Sequence, residues 1–234
     1  MGKIVILIPT YNEAQNIAPL IARVRGVRPE ISILVVDDNS PDGTAQVVRG
    51  LMASDPHLSL LSREGKEGLG KAYLCAFSEV LRDPSISWIQ MMDADFSHDP
   101  NYLPDMFAKT DSADLVLGSR YVSGGGTVGW TWWRRVLSRG ANLYCRVITG
   151  MPINDATSGY ILMRTDMMRG AHLEDIRAHG HAFMMELKHR LWKAGARIAE
   201  IPVLLEDRQH GSSKITRGVL GEAALAPWKM RFLK

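Results

Sequence analysis

Short apolar runs alternate with amphipathic segments along the first half of the chain. The pattern is clearest in residues 4–8, 31–36 and 86–92, which are mostly apolar, as expected for strands buried on both faces. Weaker runs predict further strands at residues 57–61 and 114–117. The predicted helices cover residues 13–25, a stretch from about Thr44, residues 72–81 and residues 100–109. This alternation predicts an α/β fold with a mostly parallel central sheet and helices on both faces.

The second half of the chain has a less regular pattern. Three glycines at 124–126 predict the start of a flexible segment, and a helix is predicted over residues 136–149. A polar turn at 154–160 leads into a short strand. The last predicted elements are a helix with apolar spacing through Phe183, Leu187 and Leu191 and a strand over residues 197–203. We expect one domain over residues 1–214. Residues 215–234 then form an amphipathic, basic tail that either attaches to a membrane interface or packs on the domain.

Composition excludes several classes of protein. With 234 residues, 46% hydrophobic and 23% charged, the chain has the make-up of a globular protein with a substantial core. The formal charge of +3 is too small to indicate nucleic-acid binding. Cys75 and Cys145 are isolated, which indicates buried free thiols in a reducing compartment and no zinc site. No apolar stretch reaches the roughly 18 residues of a membrane span, so we expect a chain that is neither secreted nor membrane-spanning.

The strongest chemical signal is a pair of carboxylates that follows the predicted strand 86–92. Asp93 and Asp95 are spaced i, i+2, so in an extended chain their side chains share a face. Ligands of open α/β sheets collect at the carboxyl ends of strands, and paired carboxylates suit Mg²⁺ or Mn²⁺ together with a diphosphate. The alternative is a strand-end turn in which an Asp caps the helix after Pro100.

Two glycine-containing segments are candidate anion-binding loops. The glycines in residues 65–70 lack the spacing and the position of a dinucleotide-binding fingerprint, which argues against a Rossmann dehydrogenase. They either let backbone amides and Lys66 or Lys71 approach an anion, or they form a surface loop. Arg208 and Lys214 flank a second glycine turn, which either folds over a diphosphate or is a solvated loop.

Aromatic and cationic side chains are concentrated just before the predicted helix 136–149. Three tryptophans within four positions precede two arginines: Trp130, Trp132, Trp133, Arg134 and Arg135. Tryptophan beside arginine is typical of a membrane interface, where rings lie at the headgroup level and cations face phosphate. The alternative is that the rings fill a lid or a gap in the core.

Eight short motifs follow one another from about residue 4 to residue 214. They are IPTYNE from Ile8, VDDNSPDGT from Val36, GLG from Gly68, MDAD from Met92, GSRY from Gly118, SRGAN from Ser138, DATSG from Asp155 and RQHGSSK from Arg208. In this order they resemble family 2 glycosyltransferases, and more narrowly the dolichol-phosphate and polyprenol-phosphate mannose synthases. The resemblance implies a GT-A fold for the domain at residues 1–214 and a divalent metal. It also implies GDP-mannose as donor, a lipid monophosphate as acceptor, and inversion at the anomeric carbon.

The resemblance implies roles for individual residues. Asp93 and Asp95 would meet the metal and the donor diphosphate. The nucleotide pocket would be lined by Pro9, Tyr11, Glu13 and Asp38, and Lys66 joins this set from the glycine-containing segment. Arg208 and Lys214 would close over the donor phosphates. The acceptor phosphate would be contacted by Arg120, Arg134 and Ser138, with Arg135 as an alternative to Arg134. Apart from the resemblance, we expect Asp155 to orient or assist the sugar.

Two positions depart from the family pattern. Many relatives have Gln where Ser97 stands, although Ser also occurs, so a metal contact from residue 97 is left open. Many relatives also have Arg where this chain has Ile161, after the Thr-Ser-Gly-aromatic turn. The expected chemistry needs no general base, because a phosphate monoester has a second pKa near ~6 and is largely anionic at neutral pH.

Several alternatives share most of these features. One is another lipid-phosphate glycosyltransferase, for example one that uses UDP-glucose, or a transferase with a sugar hydroxyl as acceptor. A nucleotidyltransferase would normally have a Gly-rich loop with Arg at residues 9–12. The remaining alternative is a non-catalytic sugar-nucleotide-binding or membrane-adaptor protein, and intact Asp93, Asp95, Arg120 and Arg208 argue against it. We expect a peripheral protein at the cytoplasmic face of a membrane, attached directly or through a small membrane-anchoring partner, with no nucleic-acid partner.

Overall fold

The computed structural model describes residues 2–206 and 217–232. The strands are β1 (Lys3–Thr10), β2 (Ser32–Asp37), β3 (Leu58–Ser62), β4 (Ile86–Met91), β5 (Leu115–Ser119), β6 (Gly126–Val128), β7 (Ile161–Arg164), β8 (Ile198–Pro202) and β9 (Leu204–Glu206). The α-helices are α1 (Ile17–Val27), α2 (Thr44–Met52), α3 (Leu69–Val80), α4 (Leu103–Phe107), α5 (Trp132–Thr149), α6 (Thr165–Arg169), α7 (Gly180–Lys193) and α8 (Arg217–Arg231). Short 3-10 helices lie at Pro100–Tyr102 and Leu173–Asp175. The predicted α/β alternation is confirmed.

Seven strands form one sheet in the order β3-β2-β1-β4-β7-β5-β8. Strand β7 is antiparallel to both of its neighbours, β4 and β5, and the other pairs are parallel. Because β7 runs in the opposite direction, its first residue lies at the sheet edge where β1, β4 and β5 end. The segments that carry the predicted site residues therefore meet at this edge.

Both faces of the sheet are buried, which explains the continuous apolar runs. In β1, Val5 and Leu7 pack into a core that includes residues of α3 and α7, whereas Ile6 and Ile8 pack into a second core that includes residues of α1 and α4. Side chains alternate between the two faces of a strand, so a strand covered on both faces must be apolar at every position.

The structure corrects several element boundaries. Helix α1 begins four residues later than predicted, because the backbone N–H groups of Asn16 and Ile17 both donate to the carbonyl of Glu13 and form a turn there. The predicted helix 100–109 is a 3-10 turn followed by the short α4. Helix α5 begins at Trp132 and so includes two of the tryptophans. The predicted flexible segment at 124–126 leads into β6, which pairs with the unpredicted β9.

The cysteine prediction is half right. Cys145 is a buried free thiol, as expected, but Cys75 of α3 is exposed. Helix α3 buries only the side facing the sheet, and Cys75 lies on the other side. The C-terminal helix α8 packs on the domain through Ala226 and Met230, which are buried. None of the described helices is long and apolar enough to cross a membrane.

Candidate active site

The two carboxylates after β4 lie in a structured turn. Asp95 is 7% exposed, and its Oδ1 accepts hydrogen bonds from the backbone N–H of Ser97 (3.1 Å) and from the Ser97 hydroxyl (2.6 Å). The backbone N–H of Asp93 donates to Nδ1 of His98 at 2.9 Å. Phe96, between Asp95 and Ser97, has a left-handed φ of 64°. Ser97 therefore orients Asp95 in the described structure, and His98 holds the backbone at Asp93.

A buried phenol lies close to this carboxylate pair. Tyr73 of α3 is fully buried. Burial and then the charges of Asp93 and Asp95 raise the pKa of Tyr73 well above its usual value, so its hydroxyl stays protonated. The sequence pattern does not distinguish Tyr73, because an aromatic residue on the apolar face of a helix looks like an ordinary core position.

The carboxylate pair fits a hard divalent cation. Both side chains offer oxygen ligands at the end of a central strand, and Asp95 is already held in place by Ser97. Among the described residues, no third carboxylate or imidazole joins Asp93 and Asp95 within ligating distance. A cation here would take its remaining ligands from a substrate or from water, as Mg²⁺ often does.

Most of the residues predicted to line a nucleotide pocket lie at or just after the ends of β1 and β2. Nζ of Lys66 lies 3.9 Å from the ring centroid of Tyr11, so the structure brings these two predicted residues together. Asp38 is buried and forms an ion pair with Arg63, a residue to which no sequence motif pointed. Burial raises the pKa of Asp38, and Arg63 opposes that shift.

Two further predicted residues lie at the same strand ends. Pro9 is half-buried within β1, and Glu13 follows in the next turn, where its backbone N–H donates to Oγ1 of Thr44 at 3.0 Å. These contacts join the first two strand-to-helix connections. Arg208 and Lys214, predicted to close over the donor phosphates, lie outside the described residues.

Arg120, directly after β5, forms a buried ion pair with Asp155. Its Nε and Nη2 donate to the two carboxylate oxygens at 2.7 and 2.6 Å, and its backbone N–H donates to Oδ2 at 3.0 Å. Nη2 also donates to the hydroxyl of Thr157 at 2.8 Å. Asp155 has no solvent exposure and Arg120 is 7% exposed. Within the described residues, the N–H groups on Nη1 of Arg120 make no hydrogen bond and can meet a further acceptor.

Electrostatics keep both members of this pair charged. Burial by itself would raise the pKa of Asp155, but hydrogen bonds and charge from Arg120, and then the charge of Lys188, lower that pKa below its usual value. Burial likewise opposes the charge of Arg120, and Asp155 raises the Arg120 pKa. Asp155 therefore accepts hydrogen bonds at neutral pH. Because both of its carboxylate oxygens are buried and bound by Arg120, it is not placed to take a proton from a substrate.

Arg120 and Arg134 share an aromatic neighbour, Trp130. The guanidinium carbons of Arg120 and Arg134 are 5.3 and 3.9 Å from the ring centroid of Trp130, which is 8% exposed. Arg135 instead donates from Nε and Nη2 to the carbonyl of Trp130 at 3.1 and 2.8 Å. The geometry thus favours Arg134 over Arg135 as the partner of Arg120.

Ser138, one turn along α5, is tied to the end of β5. Its Oγ accepts a hydrogen bond from the hydroxyl of Tyr121 at 2.6 Å, and the Arg120 guanidinium lies 5.2 Å from the Tyr121 ring. The structure therefore brings together three residues predicted to contact an acceptor phosphate, namely Arg120, Arg134 and Ser138.

The outer sides of α5 and α8 form an exposed apolar face. Trp132 and Trp133 are 75% and 55% exposed, whereas Trp130 is buried, so only Trp130 fills a gap in the core. We call the following exposed side chains the outer face: Trp132, Trp133, Val136, Leu137, Leu143 and Val147 of α5, and Leu225, Trp228 and Phe232 at α8. Contiguous exposed apolar patches larger than a few hundred Å² commonly mark interaction sites.

Comparison with known proteins identifies related sequences and folds. Residues 5–170 match the family model described as glycosyl transferase family 2. The chain is 38% identical over 223 residues to undecaprenyl-phosphate mannosyltransferase of Micrococcus luteus, covering 95% of this chain and 91% of the relative. It is 39% identical over 230 residues to polyprenol monophosphomannose synthase of Mycolicibacterium smegmatis, covering 97% and 86%.

The fold resembles solved structures with much lower sequence identity. Glucosyl-3-phosphoglycerate synthase from Mycobacterium tuberculosis, solved with Mn²⁺, UDP and glucosyl-3-phosphoglycerate, superposes with a TM-score of 0.68 at 18% identity and covers 98% of this chain and 80% of that chain. A structure of the same enzyme with Mg²⁺ and UDP gives a TM-score of 0.69 at 17% identity, covering 98% and 79%. At these identities the likeness concerns the fold.

Proposed function

The chain belongs to glycosyl transferase family 2, and on that premise we propose that it transfers mannose from GDP-mannose to a polyprenyl monophosphate. The products are polyprenyl-phosphate mannose and GDP, with inversion at the anomeric carbon. Two relatives that share 38 and 39% identity over nearly the whole chain bear the names of polyprenyl-phosphate mannosyltransferases, and these names support the mannosyl group and the lipid acceptor.

The observation that carries the acceptor assignment is the cluster of Arg120 and Arg134 around Trp130. Two guanidinium groups within 5.3 Å of the same ring centroid suit a phosphate with two negative charges. Trp132 and Trp133 begin the outer face only two residues further along the chain. A lipid phosphate suits both features, since its anionic headgroup can bind the guanidinium groups and its apolar tail can lie along the outer face.

The reaction joins an acceptor phosphate oxygen to the anomeric carbon as the bond from that carbon to the GDP β-phosphate oxygen breaks. The acceptor oxygen is already anionic at neutral pH, so no side chain has to remove a proton. Asp155 is buried against Arg120 and serves to hold that guanidinium. The task of Arg120, Arg134 and Ser138 is to align the acceptor oxygen with the sugar carbon.

The donor side of the site requires cationic and metal contacts. Asp93 and Asp95 would hold Mg²⁺ or Mn²⁺, which when bound would neutralise charge on the departing diphosphate. Lys66 beside Tyr11 supplies a further positive charge near the nucleotide. Asp38 lies at the end of β2, where its carboxylate can accept N–H groups of a base once it is released from Arg63.

Incubation of the protein with Mg²⁺, a short polyprenyl phosphate and either GDP-mannose or UDP-glucose tests this function. We expect mannosyl transfer to the lipid phosphate and little or no glucosyl transfer. The matched acceptor is the corresponding polyprenol, which lacks the phosphate and should not react. Faster transfer from UDP-glucose, or transfer to the polyprenol, would contradict the proposed donor or acceptor.

Arg134→Ala is expected to weaken use of the lipid acceptor without affecting the donor. Loss of one charge-assisted contact to phosphate costs roughly 1.5–3 kcal/mol, or about tenfold to a hundredfold in the acceptor KM. Arg134 is a cleaner probe than Arg120, because removing Arg120 would leave the Asp155 carboxylate buried without its partner. The control is Arg135→Ala, which removes the same charge from the neighbouring position. A larger effect from Arg135→Ala would reverse the assignment.

We propose that the outer face contacts a membrane surface, at the cytoplasmic side. A polyprenyl tail stays in the bilayer and its phosphate lies at the headgroup level, so the acceptor side of the site must face lipid. Arginine and lysine side chains, including Lys229 and Arg231 of α8, alternate with the apolar residues of the outer face, as in interfacial helices. The two free thiols are typical of a reducing compartment.

Binding to anionic vesicles is expected to depend on the outer face. The double variant Trp132→Ala/Trp133→Ala should lower the vesicle partition coefficient about tenfold, equivalent to ~1.4 kcal/mol. Salt should weaken binding, since each well-placed Lys or Arg contributes about 1 kcal/mol near an anionic surface. Co-sedimentation at low and high salt measures both effects. The control, Met52→Ala/Leu69→Ala, removes exposed apolar side chains elsewhere, and equal pelleting of the two variants would argue for a protein partner instead.

A further inference from the structure

Lys188 of α7 has no exposure to solvent. Its Nζ donates three hydrogen bonds to backbone carbonyls, those of Asp155 (3.3 Å), Ala156 (2.8 Å) and Ser158 (2.6 Å). An ammonium group has three N–H donors, so all of them are used. Burial lowers the pKa of Lys188 to about 7 against the opposing charge of Asp155. The three carbonyl contacts favour the charged form, because a neutral amine has only two N–H donors.

Glu200 of β8 binds N–H groups of the same loop. Its carboxylate accepts hydrogen bonds from the backbone N–H groups of Asn154 (2.9 Å) and Asp155 (3.0 Å) and from Nδ2 of Asn154 (2.7 Å). The loop at residues 154–160 is therefore held by a carboxylate on its donors and by an ammonium group on its acceptors. This arrangement restricts the backbone at Asp155 from two directions.

The held loop touches both halves of the site. On one side, Asp155 and Thr157 accept the hydrogen bonds of Arg120. On the other side, Gly159 lies so close to the metal-side turn that a Cβ there would be 3.3 Å from Cε1 of His98 and 3.7 Å from Oδ2 of Asp93. A small shift of this loop would move Arg120 relative to the carboxylate pair.

We propose that Lys188 is a positioning residue for the acceptor site, which acts by holding residues 154–160 and thereby fixing the direction of the Arg120 guanidinium. Glu200 supports the same loop from the opposite side. This inference rests on the proposed function, in which Arg120 meets the acceptor phosphate. Lys188 itself contacts no substrate, since its three donors are occupied by the loop.

Steady-state kinetics of Lys188→Met separate positioning from general stability. Methionine nearly preserves the volume of the lysine stem but donates no hydrogen bond. We expect the acceptor KM to rise about tenfold to a hundredfold, as a misplacement near 1 Å can cause, with GDP affinity unchanged. Lys188→Gln keeps two N–H donors and should lie in between. The control Leu191→Ala removes core volume from the same helix and should lower stability without changing the acceptor KM.

An NMR measurement tests the positioning without relying on turnover. In the wild-type protein the Nε–H of Arg120 should give a resolved ¹⁵N–¹H signal protected from exchange, because it is buried against Asp155. Lys188→Met and Glu200→Gln should both lose this protection, whereas Leu191→Ala should retain it. Retained protection and unchanged acceptor KM in both loop variants would overturn the proposal. If no lipid phosphate is glycosylated, the proposed function fails, while this comparison still tests the loop. If Lys188→Met does not fold, the same two measurements on Glu200→Gln, a substitution at a half-buried position, test the proposal.

Discussion

Replacing Asp95 by asparagine is expected to abolish the metal dependence of donor binding and to lower turnover by roughly 10²–10³-fold, the range for removing one preorganised electrostatic contact. A neutral amide is a poor ligand for Mg²⁺, so the cation would lose one of its two protein ligands. The fold should persist, because the Oδ1 of asparagine can still accept the hydrogen bonds that Ser97 donates to Asp95.

Calorimetric titration of GDP with and without Mg²⁺ measures this effect. Metal should increase GDP affinity in the wild-type protein and have no influence in Asp95→Asn. Asp99→Asn is the matched control, since Asp99 lies four residues away and its carboxylate caps the following turn by accepting hydrogen bonds from the backbone N–H and the side-chain amide of Asn101. Metal-independent GDP binding in the wild-type protein as well would show that Asp93 and Asp95 do not hold a cation.

Asp155→Asn is expected to destabilise the protein by about 3–5 kcal/mol, because it leaves the Arg120 charge buried without a compensating carboxylate. Urea unfolding at pH 7 measures the loss. The control is Asp55→Asn, since Asp55 and Arg25 form an ion pair of the same two-pronged geometry but with side chains 18% and 19% exposed. That substitution should cost roughly 1 kcal/mol or less. Equal losses at the two sites would contradict the role of burial.

The difference between wild type and Asp155→Asn should also depend on pH. Arg120 holds the folded-state pKa of Asp155 below its usual value, so the unfolded chain takes up a proton before the folded protein does as the pH falls. The stabilising contribution is therefore fully present above pH ~4 and is lost as the pH falls towards the lowered folded pKa. Unfolding curves that remain equally separated at pH 7 and at pH 3 would count against a charged Asp155.

Local pattern predicted most of the sheet and the carboxylate end of β4. Continuous apolar runs locate strands buried on both faces, and a strand that stops in Asp93 and Asp95 locates the site edge without any knowledge of tertiary contacts. The exposure of Trp132 and Trp133 was harder to predict. The sequence pattern predicts a helix from residue 136, whereas α5 begins four residues earlier, at Trp132. Once the helix begins at Trp132, its phase directs both rings outward.

Residues that act through distant contacts could not be predicted in this way. Lys188 lies on an amphipathic helix among other charged residues, where a lysine is normally solvated. Its burial depends on a loop about 30 residues earlier in the chain, and the Arg120–Asp155 pair joins positions 35 residues apart. Single-sequence periodicity reports which face of an element is buried, but it does not report which polar groups meet there.

The reversed direction of β7 has a consequence for the order in which the molecule can be completed. Strand β5 is synthesised before β7, yet in the sheet it is separated from β4 by β7. A growing chain that has reached only residue 160 therefore has β4 and β5 with no strand to join them. Residues 154–160, which lead directly into this strand, also bring Asp155 to Arg120, so β7 cannot bridge β4 and β5, and the ion pair cannot form, until this part of the chain is available.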